Sequence, residues 1–431
     1  MKVSFITLGC KVNLCETQGL MQLAQVRGDQ IVSRDADAVI VNSCAVTATS
    51  EHKNIRALHK ARQENPDAVI AVIGCMAQTN ADKLLQDGTA DLICGVQDRA
   101  AVLDACASAV AQRFNGKILP AFREIGRSFE PLPAGVPRGR TRALLKVEDG
   151  CNHFCSYCVI PYARGRVRSL EPEQALAEVR RLAAEGVHEI VITGIEISSY
   201  GMDLSPRVSL ADLIERLCRG CPGIRFRLGS LEPRTVDRDF CGRIAALPNL
   251  APHFHLSLQS GCDSVLKRMN RKYTCEMFRE AVGMLRDTIN DCSITADLIV
   301  GFPGETEEEF QETCAFVREI GFSDIHVFPY SVRPGTKAAV MPDQLPEAVK
   351  RARADAVRML AEELSRAYRQ RFVGRTLTIL PEHSGRDGVW SAHSAYYFPV
   401  YVAENGLKKN QPVRAVITAV LRDGVEAKTY F

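Results

Sequence analysis

The sequence predicts an α/β protein in three parts: an N-terminal doubly wound parallel sheet, a central partial (β/α)6 barrel and a small C-terminal antiparallel β-barrel. Three observations predict it. Short apolar runs alternate with helical patterns over residues 1–100, a longer alternation of the same kind follows from residue 140, and beyond Gly374 the texture changes to short strands punctuated by glycine. A chain of 431 residues is long for one core, and the boundaries read as 1–130, a linker at 131–139 with three prolines and two glycines, 140–372 and 373–431.

Composition narrows the class. Hydrophobic content of 46% and charged content of 24% are those of a soluble globular protein. The first ten residues turn polar too quickly for a signal peptide or span, so the expected compartment is the cytoplasm, without a membrane partner. Sixteen cysteines in a reducing compartment imply metal ligation by some and burial of the rest, rather than bridges. The net charge of +3 is too small to show a nucleic-acid partner by itself.

In the N-terminal part, apolar runs at 3–7, 38–41, 69–73 and 91–93 read as buried strands, with helical patterns at 16–27, 51–65 and 81–87. Strand, helix, strand at this spacing implies parallel order, and ligands of such sheets gather at the carboxyl ends of the strands. Cys10, Cys44 and Cys75 each fall just past a strand, 34 and 31 positions apart. They are either a three-thiolate set assembled by the fold or small buried residues at strand ends. Cys94 competes for the third place or is a bystander. Cys15 and Cys106, in helical segments, and Cys218, Cys221, Cys241, Cys262, Cys275, Cys292 and Cys314, without paired spacing, are expected to be inert.

The central part shows strands at 143–147, 189–193, 225–228, 255–258, 294–300 and 324–328, with helical patterns such as 172–185, 210–218, 273–287 and 306–320. Six such units fit an open, shortened barrel whose functional loops follow the strands. The first of these loops carries Cys151, Cys155 and Cys158. Three thiolates on one short loop can hold a corner of a four-iron cluster, leaving one iron open to bind and reduce a small molecule. A structural zinc site would want a fourth ligand at comparable spacing, and His153 lies inside the loop where it would strain a tetrahedron.

Arg123, Arg127, Arg138, Arg140 and Arg142 crowd the approach to this loop, and Arg164, Arg166 and Arg168 leave it. Lys267, Arg268, Arg271 and Lys272 are either a nucleic-acid contact or a solvated helix face, and residues 333–336 a rim contact or a turn. Residues 301–306, Gly-Phe-Pro-Gly-Glu-Thr, read mainly as a turn and helix cap. A long charged helical pattern at 345–372 leads to strands at 376–380, 396–402, 412–420 and 425–431. There Trp390, Tyr396, Tyr397, Phe398 and Tyr401 lie near Lys408, Lys409 and Arg414, an arrangement that can stack and neutralise RNA or fill a small core.

The Cys151 loop resembles that of radical S-adenosylmethionine (SAM) enzymes. Together with Thr7-Leu8-Gly9-Cys10-Lys11-Val12-Asn13, the Cys44 and Cys75 boxes, residues 188–195 and residues 255–261, it resembles the radical SAM methylthiotransferases, and the tail resembles their RNA-gripping TRAM domain. The Cys-Lys-Val-Asn box favours the MtaB-type branch, which acts on threonylcarbamoylated adenosine just 3′ of the tRNA anticodon. The resemblance implies two 4Fe-4S clusters, one on Cys151, Cys155 and Cys158 that binds SAM and one on Cys10, Cys44 and Cys75 that holds the sulfur. It implies reductive cleavage of SAM, hydrogen abstraction from adenine C2 and transfer of a methylthio group. It places Tyr157 near the adenine of SAM and makes Thr193, Gly194, Glu196, Ser230, Glu232, Gln259 and Asp297 candidate SAM contacts. The implied partners are a tRNA anticodon stem-loop, with the base turned out and arginines on phosphates, and an electron donor such as flavodoxin or ferredoxin. Leu14-Cys15 departs from the branch, which has a Gln and an aromatic there.

Overall fold

The computed structural model describes residues 1–112, 116–118, 125–126, 128–137, 139–385, 388–404 and 406–429. Arg123, Arg127 and Arg138, and the end of the last expected strand at 430–431, lie outside the described residues.

Strands β1 (Lys2–Thr7), β2 (Gln30–Ile31), β3 (Ala38–Ser43), β4 (Val69–Gly74), β5 (Leu92–Cys94) and β6 (Gly116–Ile118) form one parallel sheet in the order β2-β1-β3-β4-β5-β6. β3 is buried along its whole length, as a strand covered by helices on both faces must be. The order reverses direction at β1, so the crevice outside β1 and β3 is the sheet's switch point, where doubly wound folds bind ligands. Two strands of this sheet escaped the sequence reading: β2 and β6 have two and three residues, too few for a period to register.

The central part runs β7 (Ala143–Lys146), β8 (Glu148–Asp149), β9 (Arg168–Ser169), β10 (Glu189–Thr193), β11 (Arg225–Leu228), β12 (Ser230–Leu231), β13 (His253–Gln259), β14 (Ser293–Val300) and β15 (Asp324–Pro329). Two parallel sheets, β7-β10-β11 and β12-β13-β14-β15, make up the open barrel; the expected third strand is β11, and past Gly229 the short β12, absent from the sequence reading, opens the second sheet. Its outer helices are amphipathic. Those at Leu210–Gly220 and Glu307–Ile320 open with capping boxes, Ser209 with Asp212 and Thr306 with Glu309, which bears out the turn-and-cap reading of residues 301–306.

The helix Glu347–Gln370 leads to a closed barrel of β16 (Thr376–Ser384), β17 (Val389–Ser394), β18 (Pro399–Ala403), β19 (Val413–Val420) and β20 (Val425–Thr429), ordered β16-β17-β18-β20-β19. Five strands replace the four expected. Trp390 and Ser391 belong to the missed β17, and Tyr396 and Tyr397 lie in the turn before β18, with Tyr397 at φ 74°. No described helix is long and apolar enough to cross a membrane.

Candidate active site where two cysteine sets meet

Cys10, Cys44 and Cys75 follow β1, β3 and β4, three neighbouring strands, so hydrogen bonding at roughly 4.8 Å per strand gathers residues that are far apart in sequence. Gly9 is required by its backbone, with φ at +103°. A side chain there would put Cβ 2.6 Å from the Cβ of Cys44, so the glycine lets the turn before Cys10 press on its partner. Cys10 lies at the start of the helix Lys11–Val26, and its Sγ donates to Asn13 Oδ1 at 3.4 Å. Asn13 in turn donates to the carbonyls of Leu8 and Ser43, clamping the ends of β1 and β3 together. Burial pushes the Cys75 thiol up to about 11 and raises that of Cys44, with the neighbouring thiols adding to both. Cys94 packs with Cys106 and Val3 in an apolar cluster separate from the one that holds Cys75.

The second set is built by a lasso. β8 and β9 pair antiparallel across the neck of the segment between them, and Cys151 N–H bonds the Gly165 carbonyl at 3.1 Å. Gly150 has φ +84°, and a Cβ there would lie 2.0 Å from the Arg166 carbonyl oxygen, so no other residue lets the loop close. Asn270 holds the Phe154 carbonyl at 2.9 Å, and Arg271 donates to Cys155 Sγ at 3.1 Å. Burial raises Cys151 and pushes Cys158 up to about 12, with Cys155 and then Cys75 adding to Cys158. Metal would displace those protons, because thiolate is the ligand.

Arg164 joins the sets. It ends the short helix after Cys158, is fully buried, and donates to Cys75 Sγ at 3.2 Å, Asn13 Oδ1 at 3.1 Å, Glu16 Oε1 at 2.8 Å and Asp149 Oδ1 at 3.0 Å. Arg99 reaches Glu16 at 2.9 Å, and Lys146 reaches Glu16 at 2.8 Å and Asp149 at 2.6 Å. Although burial opposes ionisation, these cations hold Glu16 and Asp149 well below the usual carboxylate range. Around the same helix, Val159 and Ala163 pack with Cys75 and Met76 in one apolar cluster.

The arginine expectation needs correction. Arg142, Arg164 and Arg168 are buried and paired, with Glu382, with Glu16 and Asp149, and with Asp149, so they are not available to phosphates; Arg140 and Arg166 are exposed. Arg268 and Arg333 are likewise paired, with Glu309 and Glu51. Of the aromatics, Phe398 is in the core of the small barrel with Trp390 and Tyr396 packed against it, while Tyr401 bonds Asp423. Tyr397 faces the large barrel, stacked on His253 with centroids 4.6 Å apart and lying under Arg227 and Arg142.

The other candidate residues divide into two groups. Gly194 backs onto Glu148, and Glu196 receives His153 Nε2 at 3.0 Å while its N–H bonds Glu148 Oε2 at 2.8 Å. Glu232 lies 4.0 Å from His153 and pairs with Arg234; Thr193 ends β10 beneath them. Tyr157 packs edge-on to Phe302, and Gln259 ends β13 in a left-handed conformation, φ +64°. Ser230 begins β12 beside His255, and Asp297, two residues beyond Thr295 on β14, lies between His255 at 3.4 Å and His326 at 3.2 Å. Sequence reasoning missed that trio of side chains, and missed Glu148.

Six free thiols in two sets, each with an arginine donating to a sulfur, are soft donors suited to iron–sulfur clusters. Glu148 is fully buried with one oxygen lacking any protein partner, an acceptor at the base of the Cys151 loop that suits the ammonium of a bound amino acid moiety.

Comparison with known proteins agrees. Residues 145–317 match the Radical SAM superfamily, and residues 2–95 match the uncharacterized protein family UPF0004. The chain is 38% identical over 392 residues to the threonylcarbamoyladenosine tRNA methylthiotransferase MtaB of Bacillus subtilis, covering 89% of this chain and 86% of the relative. It is 38% identical to the protein of that name from Thermotoga maritima, covering 91% and 89%. A tRNA-2-methylthio-N(6)-dimethylallyladenosine synthase of Pelotomaculum thermopropionicum is 36% identical, covering 88% and 86%. Among solved structures, the radical SAM methyltransferase TsrM of Kitasatospora setae shares the fold at 15% identity and a TM-score of 0.58, covering 79% of this chain and 77% of its own. The chain belongs to the radical SAM tRNA methylthiotransferase family.

Proposed function

We propose that the protein adds a methylthio group to C2 of N6-threonylcarbamoyladenosine just 3′ of the tRNA anticodon. The observation that carries the reading is Arg164, which ends the short helix after the cysteine-bearing barrel loop and donates to Cys75 of the N-terminal sheet. Cys151, Cys155 and Cys158 hold one 4Fe-4S cluster, Cys10, Cys44 and Cys75 hold the other, and SAM is the third cofactor. Bound there, these groups supply one-electron reduction of a sulfonium and a sulfur for transfer to an unactivated carbon.

The chain's own residues orient and protect that chemistry. Arg271 and Arg164 donate to Cys155 and Cys75, favouring the more negative sulfurs and fixing their direction. Glu148, Glu196 and Glu232 present acceptors to the SAM ammonium, with His153 bridging the last two. Thr193, Gly194, Ser230 and Gln259 line the strand ends on that side, and Tyr157 covers the adenine. Asp297 acts through its two histidines.

Residues 1–130, 140–372 and 373–431 act as three domains, with 131–139 as the strap between the first two. The anticodon stem-loop docks on exposed Lys408, Lys409 and Arg414 of the small barrel and on Arg140 and Arg166. The setting is the cytoplasm, with a donor such as flavodoxin or ferredoxin.

Iron analysis of anaerobically reconstituted protein tests the cofactors: about eight irons per chain are expected, and about four in Cys10→Ala and in Cys151→Ala. Mass spectrometry of tRNA nucleosides from a deletion strain tests the substrate. Loss of 2-methylthio-N6-threonylcarbamoyladenosine is expected, whereas its persistence with loss of the methylthiolated dimethylallyl nucleoside would assign the activity of the other relatives.

A further inference from the structure

We infer that Lys11 receives the carboxylate of the threonylcarbamoyl group, with Tyr397 and His326 beside it. The inference rests on the function proposed above and adds how the N6 substituent is told from an uncharged one.

In adenine a single ring nitrogen separates C2 from the carbon that bears N6. Whatever reads the substituent must therefore lie next to the cysteines that hold the sulfur. Lys11 follows Cys10 directly, about 3.8 Å away along the backbone, and its side chain is exposed. Its ammonium lies 5.8 Å from the ring centre of Tyr397 and close enough to His326 and His253 for its charge to act on both.

The other charges on this wall already have partners. Arg227 pairs with Glu189 at 2.9 Å and donates to the carbonyls of Ser394 and Ala395, and Arg142 pairs with Glu382 at 3.1 Å. Asp297 is covered from both sides by His255 and His326. Among the described residues no carboxylate pairs with Lys11, which leaves an exposed positive charge beside Tyr397 without an anionic partner, the complement of a substituent ending in one carboxylate.

Chemistry separates the two substituents known in the family's names. A threonylcarbamoyl group offers a carboxylate to Lys11 and a hydroxyl to the phenol of Tyr397 or the half-exposed His326. A dimethylallyl group offers neither and would leave the lysine desolvated without a partner, the arrangement by which a polar site rejects an apolar analogue.

The test is binding of labelled anticodon stem-loop RNAs to the reconstituted protein, followed by fluorescence anisotropy. The RNAs carry N6-threonylcarbamoyladenosine, its carboxylate methyl ester or plain adenosine. The parent is expected to bind the acid about tenfold more tightly than the ester, the worth of one charge-assisted contact. Lys11→Gln is expected to lose that preference and Lys11→Arg to keep it, with iron content unchanged in both because the side chain is exposed. The acid-to-ester comparison is repeated on apoproteins, so that cluster loading in a variant does not decide it.

Equal binding of acid and ester by the parent, or an unchanged preference in Lys11→Gln, overturns the inference. Product formation from the acid by the parent separates the two claims. If product forms while Lys11→Gln keeps the preference, only the lysine assignment falls; if the parent makes no product and does not distinguish the acid from plain adenosine, the proposed function falls.

Discussion

Replacing Arg164 by alanine withdraws five hydrogen bonds, to four residues, from a site with no solvent to replace them. Glu16 is fully buried and Asp149 nearly so, and both are ionised. Removing one partner of a buried pair costs about 3 to 5 kcal/mol, because the remaining charge is left uncompensated. Here Arg99 and Lys146 still reach Glu16 and Asp149, and Arg168 still reaches Asp149, so the lower end applies, about 3 kcal/mol. At roughly 2 to 4 °C per kcal/mol for a domain of this size, the apoprotein should melt about 6 to 12 °C lower. Iron should fall from about eight to about four per chain, because Cys75 and, through Asn13, Cys10 lose their support. Arg164→Lys keeps the charge without the fork and should recover part of the melting temperature but little of the iron. Scanning fluorimetry and iron assay on the three proteins decide it: an Arg164→Ala protein that melts within about 2 °C of the parent refutes the claim that this network closes the junction.

Three further outcomes follow from the same contacts. Since Glu16 and Asp149 have folded pKa values below their unfolded ones, their contribution is complete at neutral pH and is lost as pH falls below about 4; acid unfolding should begin at higher pH in Arg164→Ala, and superimposable acid curves would contradict this. Gly150→Ala should abolish the visible absorption of the Cys151 set while the other keeps about four irons, since the added methyl meets the Arg166 carbonyl; full absorption would show that the neck can open. Burial raises Glu148 well above the carboxylate range, so Glu148→Gln should melt within about 2 °C of the parent yet bind SAM at least about tenfold more weakly by calorimetry, an unchanged affinity arguing against its contact with the ammonium.

What could be read from the sequence was local or periodic. Cys151, Cys155 and Cys158 share one loop, and Cys10, Cys44 and Cys75 each end an apolar run, so both sets were visible before any geometry. The network between them was not. Its members, Glu16, Arg99, Lys146 with Asp149, and Arg164, come from four separate stretches, and a charged residue in a sequence reads as solvated until its partners are known. The same default produced the mistaken assignment of Arg142, Arg164 and Arg168 to phosphates. The trio of His255, Asp297 and His326 depends on register: Asp297 pairs with His326 across β14 and β15, while His255 is opposite Thr295. Only Asp297 stood out, because a one-residue slip in either pairing would point a side chain to the other face.

A junction made of arginines and carboxylates is a costly way to join two domains, since an apolar interface of the same volume is often as stable. What the ion network adds is direction. Val159 and Ala163 against Met76 tolerate a small slide, whereas Arg164 meets its four acceptors in only one relative placement of sheet and barrel. The proposed reaction demands such a placement, because one adenine must reach SAM on the barrel side and sulfur on the sheet side without leaving the cavity, and a displacement of about 1 Å can cost a hundredfold in rate. On this argument the buried charges at Glu16, Asp149 and Arg164 are retained for the distance they fix between two reactive centres rather than for the stability they contribute.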